Sequence, residues 1–301
     1  MISKNIANLY ARDNKAALDI AERDILLTYA LKFLEEKGWL ERMVFKGGTC
    51  LRKFYLGKLM RFSLDLDFTD LKRESPDDLI LELAELFNSE YHGIRFSVDP
   101  KDFYVRDDRL SCGAVIKYAH AFHQSAFDLE LSLREPVLLP PTKKSLMKTS
   151  YQSYLEFPPP VVSCLDLLEL QAEKIRASCQ RLRSRDVYDL GLLAGRPFDK
   201  GFLRLLVVLK FWHVRGEFHP EKWIERLKSS AYDWDDLRRL VRKGQRIDPK
   251  HLIGKCIQTY RFLTSLTSEE QKILSDAKRH RESSLVKRLQ EKVQQGPHLR
   301  S

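Results

Sequence analysis

Long apolar runs are missing from this sequence. The longest candidate, Leu203–Phe211, contains Arg204 and Lys210 and is far shorter than the ~20 residues that a membrane helix needs. The first residues, MISKNIANLYARDNK, contain no apolar stretch of the kind found in secretory signals. We therefore expect a soluble, cytoplasmic protein with no membrane partner.

Cysteine, glycine and proline are also scarce. The 5 cysteines are odd in number and include no C-x-x-C pair, which disfavours a disulfide framework or a zinc site and favours a reducing compartment. The 13 glycines and 12 prolines are too few for a collagen-like or linker-like chain. With 43% hydrophobic residues, the chain has enough apolar material for a packed core.

Positive charge is in excess, and it is unevenly spread. The 301 residues carry a net charge of +10. Residues 1–150 contain 23 basic and 23 acidic side chains, whereas residues 151–301 contain 29 and 19. This asymmetry favours a polyanionic partner, such as a nucleic acid, held by the second half; the alternative is a well-solvated basic surface.

Hydrophobic periodicity predicts an α/β first half, so that the whole chain, with its helical second half, is of the α+β class. Apolar residues at helical spacing predict an amphipathic helix over residues 17–37, and a second helix begins at Pro76 and runs to about Glu90. Alternation predicts a strand over Phe62–Phe68. Further strands are predicted at residues 94–98, 111–118 and 125–134.

The second half is predicted to be a helical bundle. Prolines are frequent over residues 136–160, so we expect irregular chain there and place the domain boundary in it. The predicted domains are an α/β domain at 1–140, a connection at 141–160 and a helical domain at 161–301. The predicted helices are Cys164–Ser178, Arg185–Leu193, Lys200–Val214, Glu221–Lys228, Trp234–Lys243, Pro249–Leu266 and Ser268 to about Gln294.

Two carboxylates share one face of the strand at Phe62–Phe68. Asp65 and Asp67 are two residues apart, so their side chains project to the same side and repel each other unless a cation lies between them. Mg²⁺ prefers such hard oxygen ligands together with waters and substrate phosphates. Glu130, on the polar face of another predicted strand, is a candidate third ligand, with Asp128 as its rival. The alternative is a solvated strand edge that carries scattered acids.

A glycine-rich turn precedes this strand. Gly47 and Gly48 allow close approach of a phosphate to the backbone, and Thr49 adds a hydroxyl at the start of a short helix. On its own, Gly-Gly-Thr is also an ordinary turn and cap. Followed by D-x-D on the next strand, it is similar to the layout of polymerase-β-like nucleotidyltransferases.

Longer motifs narrow this resemblance. The runs FKGGTCLR (45–52) and RFSLDLDF (61–68), followed by AEKIRA (172–177) and RDVYDL (185–190), resemble the signature of the AbiEii/AbiGii toxin family, which includes the MenT nucleotidyltransferases. The blocks occur in family order, and the resemblance covers most of the chain. One departure is Leu64, where the family often carries an acid, so this site has one charge fewer.

The resemblance implies a role for each matched residue. Asp65 and Asp67 would hold Mg²⁺, with Mn²⁺ as an alternative, and Glu130 would complete the metal site. The residues implied to bind the nucleotide are Gly47, Gly48, Thr49, Arg52, Ser63, Lys174 and Arg185. The residues implied to be catalytic are Asp65, Asp67, Lys174, Asp186 and Asp189.

The resemblance also implies an activity. The protein would transfer a nucleotide from an NTP to an acceptor, for which we expect the 3′ end of tRNA, and so block translation as the toxin of a toxin–antitoxin or phage-defence pair. Its partners would be the NTP, tRNA or another RNA, and a cognate antitoxin. The alternatives are nucleotidylation of a partner protein and a non-catalytic module that binds nucleotide or RNA.

Two features of the helical half remain open. Lys174 and Arg185 would share one face if a single helix ran between them. A separate expectation is that Lys174 reaches a cleft between the domains and contacts the triphosphate there. Arg185 and Asp189, four residues apart, would otherwise form a simple surface pair. The C-terminal helix offers basic residues for nucleic acid, namely Arg279, Arg281, Lys287, Arg288 and Lys292.

Overall fold

The structure is a computed structural model that describes residues 1–72, 74–229, 231–276 and 281–295. The helices in these ranges are α1 (Lys4–Asn14), α2 (Leu18–Glu36), α3 (Gly47–Cys50), α4 (Pro76–Leu86), α5 (Leu167–Gln180), α6 (Ser184–Leu193), α7 (Lys200–His213), α8 (Pro220–Ser229), α9 (Trp234–Arg238), α10 (Pro249–Tyr260), α11 (Ser268–Ser275) and α12 (Ser283–Gln294). The strands are β1 (Met43–Lys46), β2 (Leu66–Asp70), β3 (Glu90–Tyr91), β4 (Ile94–Ser97), β5 (Phe103–Val105), β6 (Ser111–His120), β7 (His123–Ser132), β8 (Thr142–Ser145) and β9 (Val161–Cys164). The predicted basic residue Arg279 lies outside the described residues, as does the middle of the helix predicted from Ser268 onward.

The chain forms two compact units and is α+β, as predicted. The first unit consists of Met1–Arg134, Pro141–Leu165 and Leu240–Gly244. The second consists of Glu135–Pro140, Asp166–Arg239 and the described residues after Gly244. Among the described helices, none is both long and apolar enough to cross a membrane.

All the strands of the described residues belong to one mixed sheet in the first unit. Its order is β3-β4-β6-β7-β2-β1-β9-β8, and β5 pairs with the free part of β6. The pairs β2–β7 and β1–β9 are parallel, and the other pairs are antiparallel. The parallel pair β2–β7 aligns Asp67 with Glu130, which is the pairing on which the site depends.

Two parts of the sheet differ from the sequence-based prediction. The predicted strand at Phe62–Phe68 begins only at Leu66, because the Phe62 N–H donates to the Leu240 carbonyl (2.7 Å) instead of to a neighbouring strand. The prediction of irregular chain between the prolines was wrong in one place: Thr142–Ser145 forms the edge strand β8 against β9. Proline is tolerated next to such an edge strand, since few backbone donors are needed there.

Helix α2 is more deeply buried than an amphipathic helix would be. Its polar residues Glu22, Asp24 and Thr28 are buried together with its apolar positions. Each buried polar group therefore needs a partner. Asp24, for example, accepts a hydrogen bond from the Tyr10 hydroxyl (2.6 Å) and lies 3.3 Å from the Lys53 ammonium.

The helical unit packs around α7, which contains a buried lysine. The Lys210 ammonium lies 2.6 Å from a Glu169 oxygen, 3.1 Å from Glu173 and 3.7 Å from Glu135. Burial opposes the charge on Lys210, but the three carboxylates outweigh it and raise the Lys210 pKa. Glu169 also accepts the backbone N–H groups of residues 138 and 139, which joins the segment Glu135–Pro140 to this unit.

Candidate active site

The Gly-Gly turn lies directly against the second aspartate. Strand β1 ends at Lys46, and Gly47 adopts a φ of +77°, a conformation that side-chain-bearing residues rarely adopt. A Cβ atom on Gly47 would lie 1.9 Å from the Asp67 Oδ2 atom. Both the backbone and the contact with Asp67 therefore require glycine at this position.

The second glycine packs against the segment before β2. A Cβ atom on Gly48 would lie 2.6 Å from the Ser63 hydroxyl and 3.0 Å from the Arg61 guanidinium. Gly48 thus brings a backbone turn, a hydroxyl and a cationic side chain within a few ångströms of one another. Such a combination suits a bound phosphate.

Two hydroxyls hold Asp65. The Ser63 hydroxyl donates to the Asp65 Oδ1 atom (2.7 Å), and the buried Thr49 hydroxyl donates to the Asp65 carbonyl (2.6 Å). These bonds fix the orientation of the Asp65 carboxylate before any ligand arrives. The predicted contacts of Thr49 and Ser63 with phosphate stay a prediction.

Four carboxylates share one face of the sheet around β2 and β7. Asp67 is aligned with Glu130 in the parallel pair. Asp128 precedes Glu130 by two residues in β7, so these two side chains face the same way. Asp65 lies just before β2, and its charge acts on Asp128. Desolvation and the nearby charges of Asp65 and Glu130 raise the pKa of Asp128. Both rivals for the third carboxylate therefore belong to this acidic face.

A tyrosine that the sequence analysis did not single out borders the acidic face. Gly113 of β6 is aligned with Glu130, and a Cβ atom on Gly113 would lie 2.6 Å from the Tyr104 hydroxyl. Burial and the charges of Glu130 and Asp128 raise the pKa of Tyr104, so its hydroxyl keeps its proton. A glycine inside a strand signals such a close approach, and Gly113 was the signal available in the sequence.

The structure places Arg52 in a buried network of the first unit. Its guanidinium donates to the Met60 carbonyl (2.7 Å), lies 3.4 Å from Asp24 and stacks 3.6 Å from the Phe62 ring centroid. Only 5% of Arg52 is exposed. These contacts give Arg52 a structural task, and its implied role toward the nucleotide stays a prediction.

The residues implied in the helical unit also meet one another. The Lys174 ammonium lies 2.7 Å from Asp189 and 3.4 Å from Asp186, and all three are buried. Arg185 lies 3.0 Å from Asp236. Asp189 therefore pairs with Lys174, and the proposed surface pair of Arg185 with Asp189 was wrong.

The single helix considered between Lys174 and Arg185 was also wrong. Helix α5 ends at Gln180 and α6 begins at Ser184, so the two residues occupy separate helices. Lys174 approaches Asp186 and Asp189 across the α5–α6 connection. The helices thus build a compact ion cluster from residues that the sequence analysis had grouped as one motif.

Among the described residues, the three-residue group whose donor atoms lie within 4.8 Å of one another is Glu22, His120 and His123. The sequence analysis did not single out this group. The carboxylates of the acidic face offer oxygen donors, and they fit Mg²⁺, which takes one or two protein carboxylates and completes its shell with waters and phosphates.

A mixed sheet with a Gly-Gly turn packed against a D-x-D segment is the arrangement that the resemblance to nucleotidyltransferases implies. The chain belongs to the AbiEii family: residues 30–290 match the family model described as "Nucleotidyl transferase AbiEii toxin, Type IV TA system". It is therefore a nucleotidyltransferase toxin of a toxin–antitoxin system, and the family implies a nucleotide substrate and an antitoxin.

A solved structure shares the fold. MenT4, a nucleotidyltransferase toxin from Mycobacterium tuberculosis H37Rv, is 24% identical, with a TM-score of 0.81 over 98% of this chain and 100% of that one. JHP933 from Helicobacter pylori is 18% identical, with a TM-score of 0.48 over 87% of this chain and 99% of that one. The comparison with curated proteins gives no match.

Proposed function

We propose that the protein transfers a nucleotidyl group from an NTP to the 3′ end of tRNA, and that this blocks translation. The observation that carries the proposal is the contact between the Gly-Gly turn and the D-x-D segment. Asp67 packs against Gly47, while Ser63 and Thr49 hold Asp65. Two oriented carboxylates beside a phosphate-binding turn suit transfer from a nucleoside triphosphate.

The metal ligands are Asp65 and Asp67. Bound Mg²⁺, with Mn²⁺ as an alternative, would align the α-phosphate and neutralise charge on the leaving pyrophosphate. Asp65 needs no rearrangement to bind, because the Ser63 hydroxyl already fixes one of its oxygens (2.7 Å). Ser63 and Thr49 are thereby positioning residues in addition to their implied contacts with phosphate.

Asp128 accepts the proton of the acceptor hydroxyl. In the reaction, the acceptor 3′-oxygen forms a bond to the α-phosphorus, and the bond from that phosphorus to the bridging oxygen breaks to release pyrophosphate. Asp128 suits the proton acceptor because its raised pKa makes it a stronger base than an ordinary aspartate. Glu130 then stands beside Asp67 to complete the metal site.

The helical unit supplies the remaining implied contacts. Lys174 and Arg185 bind the phosphates of the NTP, and Asp186 and Asp189 orient the Lys174 ammonium, which lies 2.7 Å from Asp189. This assignment is carried over from the family motif. For Lys174, Asp186 and Asp189 it is supported by their burial, since buried ion clusters hold their members in fixed positions.

The charge distribution supports an RNA acceptor. Residues 151–301 contain 29 basic and 19 acidic side chains, and a polyanion binds such a surface with release of counterions. Binding of tRNA should therefore weaken steeply as the salt concentration rises. A protein acceptor would give a much shallower salt dependence.

The acceptor is tested with the purified chain, Mg²⁺ and each of the four α-labelled NTPs in turn. Total tRNA and an RNA-free cell extract serve as separate acceptors, and Asp107→Ala, which changes an exposed aspartate, is the control variant. We expect the label in the tRNA band. Label in a protein band would instead establish protein nucleotidylation, and nucleotide binding without any labelled product would establish a non-catalytic module.

A further inference from the structure

A second polar cluster lies at the tip of the β6–β7 hairpin. His120 ends β6, His123 begins β7, and the two are paired across the hairpin. Cross-strand partners project their side chains to the same face, so the two imidazoles face the same way. Tyr118, two residues before His120, shares that face.

Helix α2 brings a buried carboxylate to these imidazoles. The His120 Nε2 atom lies 2.7 Å from the Glu22 Oε1 atom, and the His123 Nδ1 atom lies 3.1 Å from Oε2. The Tyr118 hydroxyl donates to the same carboxylate (3.0 Å). The side chains of Glu22 and His120 are 1% and 0% exposed, whereas that of His123 is 35% exposed.

Two polar groups of this cluster, the Glu22 carboxylate and one ring nitrogen of His120, lack a compensating partner in the described part of the chain. A buried carboxylate is costly unless a positive charge compensates it, and the close contacts of Glu22 are with a phenol and two imidazoles. In addition, the His120 Nδ1 atom is buried without a hydrogen-bond partner among the described residues. A cation bound at the cluster would compensate the buried Glu22 carboxylate.

We propose that Glu22, His120 and His123 bind a divalent transition metal ion of the Zn²⁺ class. Their three donor atoms all lie within 4.8 Å of one another, close to the spacing of ligands around one ion. Two imidazoles and a carboxylate are a donor set that Zn²⁺ accepts, and that Mg²⁺, which prefers oxygen, does not favour. A metal ion binds the unprotonated ring nitrogen, so it competes with protons for these two imidazoles.

The fourth ligand position opens to a cavity. A space of about 380 Å³ borders Glu22 and His123, and Lys4 and Asp19 line it as well. Asp19 lies three residues before Glu22 on α2, so both project from one face of the helix. Water or the Asp19 carboxylate completes the tetrahedral shell.

This site is separate from the acidic face. His123 and Asp128 are five residue steps apart on β7, a separation of about 17 Å along an extended strand. The two sites also differ in chemistry, because one consists of oxygen donors and the other is mostly nitrogen. The bound ion would fasten the hairpin tip to α2, and this conclusion does not depend on the proposed acceptor.

The test is calorimetric titration of the full chain with Zn²⁺ at pH 7.5, followed by Co²⁺ substitution. We expect one equivalent to bind and Co²⁺ to give the visible absorption of a tetrahedral site. His123→Ala, which removes a partly exposed ligand, should weaken binding by about 100-fold. Asp65→Ala and His219→Ala, the latter at an exposed histidine, should bind as the unchanged protein does.

Thermal unfolding provides a second readout that does not require catalysis. Zn²⁺ should raise the unfolding temperature of the unchanged protein and of Asp65→Ala, but not that of His123→Ala. Equal Zn²⁺ affinity in His123→Ala, or a dissociation constant above about 10 μM for the unchanged protein, would overturn the proposal. The cluster would then be a hydrogen-bonded histidine pair around Glu22.

Discussion

Asp65 and Asp67 are held in different ways. Asp65 is fixed by hydrogen bonds from Ser63 and Thr49, whereas Asp67 is confined by the backbone of Gly47. The first arrangement sets an orientation, and the second leaves room for a carboxylate only if position 47 has no side chain. Substitutions at Gly47 therefore displace the Asp67 carboxylate while leaving an aspartate at position 67.

A comparison of Gly47→Ala with Gly244→Ala should separate the effect of the Asp67 contact from the effect of backbone strain. The substitution at Gly47 costs about 1 kcal/mol for the positive φ and also displaces the Asp67 carboxylate, which should reduce nucleotidyl transfer about 100-fold. Gly244→Ala is a matched control, because Gly244 also has a positive φ (+80°) but has no atom within 4 Å of the added Cβ. Equal transfer rates in the two variants would contradict the role of Gly47.

The charged carboxylate of Asp128 should destabilise the folded protein, although nucleotidyl transfer requires it. Because the pKa of Asp128 is raised in the folded protein, the charged carboxylate opposes folding. The protein is therefore more stable while Asp128 is protonated, and this stability is lost as the pH rises through that pKa. Asp128→Asn should therefore unfold at a higher temperature than the unchanged protein at pH 7, with the difference vanishing below about pH 4. The melts are recorded without divalent ions.

The same Asp128→Asn variant should lose transfer activity, since an amide cannot accept the proton. Asp107→Asn, at an exposed position, should change neither property. An Asp128→Asn protein that melts below the unchanged protein at pH 7 would show that the carboxylate stabilises the fold.

At the scale of elements, the parallel pair β2–β7 decides which acids meet. The D-x-D pattern and the Gly-Gly turn predicted Asp65, Asp67 and the neighbouring turn from local sequence alone. The alignment of Asp67 with Glu130 depends on pairing between strands about sixty residues apart, and strand register of this kind is set by tertiary packing. Local periodicity therefore left Asp128 and Glu130 undecided.

Other elements escaped prediction for similar reasons. Periodicity treats the polar residues of α2 as a solvent face, but Glu22 and Asp24 find partners on distant segments and are buried. Tyr104 reaches the acidic face because Gly113 leaves space on the next strand. In each case the contact is formed by residues that are remote in sequence.

The α5–α6 cluster predicts a linked loss of stability and activity. Lys174→Met leaves the buried Asp186 and Asp189 without their lysine, which should cost about 3 kcal/mol of unfolding free energy in chemical denaturation. Lys200→Met, an exposed site on α7, should change it by less than about 0.5 kcal/mol. Equal stability of both variants would contradict the cluster.

Lys174→Arg tests the nucleotide contact separately, because the positive charge is kept. We expect most of the stability to return while the KM for the NTP stays raised, since a planar guanidinium cannot reproduce a compact ammonium. A KM equal to that of the unchanged protein would contradict a direct contact between Lys174 and the phosphates.

At the scale of the whole molecule, the chain joins a charge-balanced α/β half to a basic helical half. Residues 1–150 carry 23 charges of each sign, whereas the excess of +10 lies in residues 151–301. This division agrees with the proposal that the second half of the chain attracts a polyanionic acceptor.

Expression in bacteria without an antitoxin should arrest growth. The arrest should require transfer activity, so Asp65→Ala should grow normally while Asp107→Ala, at an exposed site, should be as toxic as the unchanged chain. Ribosome activity is followed by incorporation of labelled methionine, which should fall before growth stops. Equal toxicity of Asp65→Ala would show that binding or aggregation, and not catalysis, harms the cell.

The central claim is nucleotidyl transfer at Asp65 and Asp67, and two differently labelled NTPs test it most directly. Purified protein is incubated with Mg²⁺, tRNA and an NTP labelled either at the α-phosphate or at the γ-phosphate. The account predicts that tRNA acquires the α-label only, that the γ-label leaves in pyrophosphate, and that Asp65→Ala transfers neither, with a loss of at least about 1,000-fold. Transfer of the γ-label to the acceptor, or α-label transfer by Asp65→Ala at the rate of the unchanged protein, would contradict it.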